Sequence, residues 1–118
     1  ESGSEDRTGA ERLRWVVEHA ASMIVDGIGF GGFAALLTDA DPGFTAAFRS
    51  VLLAHRAQLA GELQAGVADG TLRLSGDVET TVDSLVGSLL AEYGRSGTLA
   101  DGWADRVMAV HAAMIVDD

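Results

Sequence analysis

Apolar residues recur at helical spacing along most of the chain, and capping signals divide the pattern into separate helices. Thr8-Gly-Ala-Glu11 has the form of a capping box, a hydroxyl for a free amide and a carboxylate reaching back three residues later. Behind it Leu13, Val16, Val17, Ala20 and Ile24 share one face, with Trp15, His19 and Met23 as a second stripe beside them. The spacing predicts a helix from Gly9 to Asp26 that stops at Gly27, and a short second helix from Gly32 to Thr38.

Asp41-Pro42 is the clearest start signal, an N-cap carboxylate followed by a proline preset for the first turn. From there Phe44, Phe48, Val51, Leu52, His55, Leu59, Leu63 and Val67 follow one face to Asp69, and Gly70 supplies a left-handed stop. That helix, about 28 residues and about 40 Å long, is the expected spine of the domain. Thr71-Leu-Arg-Leu74 alternates like a strand, but four residues with no partner make a connector. Ser75-Gly-Asp77 caps a helix carrying Val78, Val82, Leu85, Val86, Leu89, Leu90 and Tyr93, with Gly94 and Gly97 flanking its end. Thr98-Leu-Ala-Asp101 has capping-box spacing ahead of the last stripe, Trp103, Val107, Val110, His111 and Met114. The pattern predicts an all-α domain over residues 8–118, an antiparallel bundle of about five helices, after a flexible lead-in of residues 1–7.

Composition narrows the function classes. The 118 residues carry 18 acidic and 8 basic side chains, a formal charge of −10, and every basic one is arginine. Gripping nucleic acid needs a basic patch to neutralise phosphates, so this chain is not expected to do it. An anionic membrane surface is disfavoured for the same reason. The chain has no cysteine, which excludes disulfides, thiolate metal ligands and cysteine nucleophiles. No unbroken apolar run reaches the roughly 18 residues of a membrane span. The opening Glu1-Ser-Gly-Ser-Glu-Asp6 lacks the features of a signal peptide. The expected setting is the cytoplasm, without a membrane partner.

Candidate chemistry is sparse. Gly27, Gly29 and Gly32 fit G-x-G-x-x-G, but dinucleotide binding needs a preceding strand, and here an amphipathic helix precedes. The glycines therefore read as a hinge flanked by Phe30 and Phe33. His19, His55 and His111 fall on three helices without metal-ligand spacing, so no metal or cofactor is expected. His55 stands mid-spine, where an interior polar group could orient a ligand. No Gly-x-Ser-x-Gly elbow occurs and no carboxylate pair is nominated for acid–base work, so the chain is not expected to be an enzyme. Gly87 and the run Ala109 to Ala113 would let helices approach closely. Wide apolar faces in so small a domain leave surface for a cavity or a second subunit to cover.

A set of soft motifs adds to this reading. They are Asp41-Pro42-Gly-Phe44, the helix Phe48-Arg-Ser-Val-Leu-Leu-Ala-His-Arg56, and its exit Ala65-Gly-Val-Ala-Asp-Gly-Thr-Leu-Arg73. Asp77-Val-Glu79 then leads to Leu85-Val-Gly87, and Trp103-Ala-Asp-Arg-Val107 closes the series. In order and spacing they resemble the C-terminal regulatory domain of tetracycline-repressor-like (TetR family) transcription regulators. The likeness runs from Asp41 to Met114, and the first helix matches in pattern alone.

The resemblance implies a helical domain that binds a small apolar or amphipathic effector among its helices. It also implies a homodimer in which the last two long helices pair with those of a second copy. Effector binding then alters the spacing of two DNA-reading heads. The family's helix-turn-helix has no counterpart in these residues, so DNA would be reached only through an N-terminal domain of a full-length protein. On this reading Trp15, His19, Met23, Phe33, Phe48, Leu52, His55, Leu89 and Tyr93 line the cavity, with His55, His19 or Tyr93 giving an orienting hydrogen bond. Val82, Val86, Leu90, Trp103, Val107, Val110 and Met114 form the dimer face. Two other readings are a homodimeric interaction module with a filled core and no effector, and a small helical enzyme. The enzyme would need polar side chains converging in the cavity.

Overall fold

The first capping box closes as its spacing requires. In the computed structural model, which describes residues 7–116, the Thr8 hydroxyl accepts from the Glu11 amide at 3.1 Å. The Glu11 carboxylate accepts from the Thr8 amide at 2.9 Å, so helix α1 (Gly9–Ser22) starts with both halves of the box made. Of the expected lead-in only Arg7 is described; residues 1–6, like residues 117–118, lie outside the described residues.

The expected stop at Gly27 does not occur. Helix α1 runs into a π-helical turn (Met23–Ile28) and on into α2 (Gly29–Thr38), one rod from Gly9 to Thr38. A glycine by itself lowers helix propensity by only about 1 kcal/mol. Ending a helix takes a left-handed residue that turns the chain away, and the positive φ here falls at Gly29 (φ 79°). Its amide still bonds to the Ile24 carbonyl, a five-residue step, so the helical path continues with a change of register. By length and composition this rod is long and apolar enough to cross a membrane, although Asp26 interrupts it. Counting unbroken apolar runs does not reveal that property.

Helix α3 (Pro42–Asp69) starts at Asp41, whose carboxylate accepts from the Phe44 amide at 3.2 Å, and ends at Gly70 with φ 84°. Helix α4 (Val78–Ser96) starts at Asp77, which accepts from the Thr80 amide at 2.9 Å, and ends at Gly97. The capping box expected at Thr98–Asp101 is not formed. Helix α5 (Trp103–Val110) follows Gly102 instead, at φ 88°. The intervening polar groups turn back towards α4: the Ala100 amide donates to Glu92, and the Thr98 carbonyl accepts from the Ser96 hydroxyl.

The last helix also ends earlier than the expected Met114, at Val110, and a 3-10 turn (Ala112–Met114) follows. The connector after α3 is the reason. Leu72 pairs antiparallel with Ile115, the Arg73 amide donates to the Met114 carbonyl at 2.7 Å, and the Val116 amide donates to Thr71 at 3.0 Å. The connector thus has a partner, 43 residues downstream of Leu72, which draws the chain out of the helix. Among the described residues the fold is all-α, with four helical rods and this one bridge, not five separate helices.

Helix α1 forms the centre of the core. Its Leu13, Val16, Val17 and Ala20, with Ile24, pack with Leu59 and Leu63 of α3 and with Val82, Leu85 and Leu89 of α4. Trp103 and Val107 of α5 complete the cluster. Burying each large side chain is worth about 1.5–3 kcal/mol. Only the C-terminal half of α3 takes part. At 14 residues α1 is half the length of α3, so the first half of α3 is left to α2. Phe44, Val51 and Val67, expected on the buried face, are exposed.

Two glycines and one arginine set the close approaches between segments distant in the chain. A Cβ on Gly9 would collide with the Thr71 carbonyl oxygen, and one on Gly66 would stand 2.6 Å from Leu72 Cδ1 and 2.8 Å from Arg12 Cδ. Arg12 is 1% exposed and bonds Glu62 and Asp69, each at 2.9 Å. Arg7 reaches the same Glu62 oxygen at 2.9 Å.

Candidate functional site

Three rods line a half-open cavity of about 280 Å³. Ala20, Met23, Ile24 and Phe33 form the wall from the α1–π–α2 rod, and Leu52 and Leu59 the wall from α3. Val82, Val86, Gly87 and Leu90 form the wall from α4. Two local features border the space. The first rod turns π-helical beside it, at Met23 and Ile24, and passes through Gly29 at positive φ. Gly87 contributes no side chain, and a Cβ there would meet nothing within 4 Å. Within the chain this glycine therefore leaves room and does not seat a neighbouring helix.

The lining is apolar apart from His55, Arg56 and Asp83. Arg56 and Asp83 form a fork between α3 and α4, Nε to Oδ1 and Nη2 to Oδ2, both 2.8 Å. Hydrogen bonding to Asp83 lifts Arg56 above its ordinary pKa. His55 Nε2 lies 2.9 Å from the backbone carbonyl oxygen of His19. A carbonyl can only accept, so Nε2 carries the proton, and Nδ1 is the ring nitrogen without a protein partner among the described residues.

Four of the nine residues expected in the cavity line it: Met23, Phe33, Leu52 and His55. The other five lie elsewhere. Trp15 and His19 stack on each other at 3.9 Å, the Arg7 guanidinium lies 5.0 Å over the Trp15 ring, and the His19 backbone carbonyl accepts from His55. Phe48 stacks on Phe44 at 5.9 Å, and Tyr93 on Phe30 at 3.8 Å. Leu89 is fully buried in the core.

The residues expected at a dimer face are also divided. Val82, Val86 and Leu90 line the cavity, and Val82 is buried as well. Trp103 and Val107 are buried against α1, and the Trp103 indole donates to the Ser88 hydroxyl at 3.3 Å. Met114 is half-buried at the edge of the core, and Val110 is 78% exposed. The cause lies in α4, which has two apolar stripes one residue apart, about 100° around the helix. Leu85 and Leu89 face the core, Val86 and Leu90 face the cavity, and Val82 borders both.

Sequence reasoning did not single out Arg56 and Asp83. A signal was present, since Asp83, Gly87 and Leu90 stand at i, i+4 and i+7 on one face of α4. Among the described residues no three of His, Asp and Glu are grouped to hold a metal ion. The three histidines each bond a backbone carbonyl: His19 that of Trp15, His55 that of His19, and His111 that of Val107. The arrangement is an apolar cavity with one unbonded ring nitrogen and one self-neutralised ion pair on its wall. No family model, no curated protein and no solved structure matches the chain.

Proposed function

We propose that this chain is the effector-sensing and homodimerisation domain of a TetR-like transcription regulator, its effector a small apolar or amphipathic molecule. The observation that carries the reading is the apolar cavity of about 280 Å³ between three helical rods. A ligand in it touches the first rod at its π turn, the middle of α3 and one stripe of α4 together. Any difference in its affinity for two arrangements of those rods shifts the balance between them, which is what a sensor requires. Contact with DNA belongs, on this reading, to a separate helix-turn-helix domain. A second copy is expected against α4 and α5, where Val110 stands outside the core.

Thermal unfolding with and without saturating naphthalene tests the sensing role. The melting temperature of the natural chain is expected to rise. In Gly87→Leu, whose side chain would occupy the cavity, it is expected not to move. No shift in the natural chain would overturn the sensing role. Sedimentation at micromolar concentration tests the dimer, with Val110→Asp expected to run as a monomer. A monomeric natural chain would overturn that part, and a dimer without any ligand response would leave an interaction module.

A further inference from the structure

We infer that the occupant of the cavity is an uncharged molecule of about two fused rings that presents one hydrogen-bond donor to Nδ1 of His55. The inference rests on the sensing role above and deepens it by naming the ligand's chemistry. Size comes first. A cavity of 150 Å³ holds one benzene, so about 280 Å³ suits a body of about ten non-hydrogen atoms.

Charge comes second. The two ionic groups on the wall, Arg56 and Asp83, satisfy each other through two parallel bonds of 2.8 Å. A charged group lying among the apolar walls would find no partner, since the fork is already satisfied, and that is costly. The one remaining polar side chain is His55, and its bond to the His19 carbonyl decides its hydrogen-bonding sense. With the proton on Nε2, the neutral ring offers Nδ1 as a lone pair. A phenol, alcohol or N–H group complements it, whereas an ether or carboxylate oxygen sets lone pair against lone pair.

Four probes at pH 8 test this on the natural chain: naphthalene, 2-naphthol, 2-methoxynaphthalene and 2-naphthoate. 2-Naphthol is expected to bind about tenfold more tightly than naphthalene, the yield of one good hydrogen bond. The methoxy compound, which keeps the oxygen but loses the donor, is expected to fall back to the level of naphthalene, and the carboxylate below it. His55→Phe is expected to erase the advantage of 2-naphthol over naphthalene and 2-methoxynaphthalene. The comparison among ligands on the natural chain stands even where that variant folds poorly. Equal binding of 2-naphthol and 2-methoxynaphthalene, or tighter binding of 2-naphthoate, would overturn the inference and leave the sensing role intact. Failure of all four to bind would overturn both.

Discussion

The imidazole of His55 donates from Nε2 to the backbone carbonyl oxygen of His19, 2.9 Å away, joining the middle of α3 to α1. His19 lies four residues before Met23, where the α ladder passes into the π turn. The bond therefore sits where the first rod changes register, and its ring also lines the cavity. His55→Phe is expected to lower stability by about 1 kcal/mol, measured by urea unfolding. Amides of Met23–Ile28 are expected to exchange faster with solvent. An unchanged midpoint would show that this tie does not hold the two helices together.

Two glycines in helices are expected to respond in opposite ways. Gly87→Ala places its methyl in open space and gains helix propensity, so stability should rise by about 0.5–1 kcal/mol. Gly9→Ala drives its methyl against the Thr71 carbonyl, backbone that a rotamer change cannot move, and should cost about 1–3 kcal/mol. Chemical denaturation of the pair checks this, and equal effects would contradict the packing described.

Glu92 makes the fold sensitive to acid. It is 7% exposed and accepts from Arg106 at 2.6 and 2.7 Å and from the Ala100 amide at 3.2 Å. The Arg106 hydrogen bonds hold its carboxyl below the ordinary range. Because the folded value is depressed, its contribution is complete above the unfolded value of about 4.3. That contribution drains away as pH falls from there through the folded value. Asp69, held down by Thr71, and Asp77, held down by the Thr80 amide, act with the same sign. Glu92→Gln is expected to flatten the loss of stability below that pH in acid titrations followed by circular dichroism. A titration as steep as that of the natural chain would remove Glu92 from the account.

Arg12→Met keeps an apolar stem in the core but removes the guanidinium that bonds Glu62 and Asp69. Glu62, itself buried, then keeps only Arg7. The expected cost is about 3 kcal/mol, the lower end for breaking one side of a buried pair. Arg14→Met, at an exposed ion pair with Asp105, is expected to leave the denaturation midpoint unchanged. Similar losses in the two variants would refute the distinction.

The signals that could be read along the chain were the ones completed within a few residues. Thr8 with Glu11, Asp41 with Pro42, Asp77, Gly70 and Gly97 all act where their spacing puts them. Signals of equal local quality failed where other hydrogen bonds competed. Gly27 does not end its helix, because the five-residue bond from Gly29 to Ile24 carries the path onward. Thr98–Asp101 does not cap α5, because Glu92 takes the Ala100 amide. Arg12 was not recognisable as a core residue, since its partners Glu62 and Asp69 stand 50 and 57 residues away.

The candidate site divides in the same way. Met23, Phe33, Leu52 and His55 could be chosen from helical faces, while the fork of Arg56 and Asp83 required knowing that α3 and α4 meet there. Helix starts, most helix ends and the all-α class follow from hydrogen bonds and backbone preferences within three to five residues, so the order of amino acids is enough to read them. The two stripes of α4 are equally apolar, and nothing local says which one meets the core. Packing against α1 assigned Leu85 and Leu89 to the core, and the space beside Gly87 and the π turn assigned Val86 and Leu90 to the cavity, with Val82 bordering both. Direction around a helix axis is settled only by contacts between segments far apart in the chain, and so the cavity exists in the folded molecule alone.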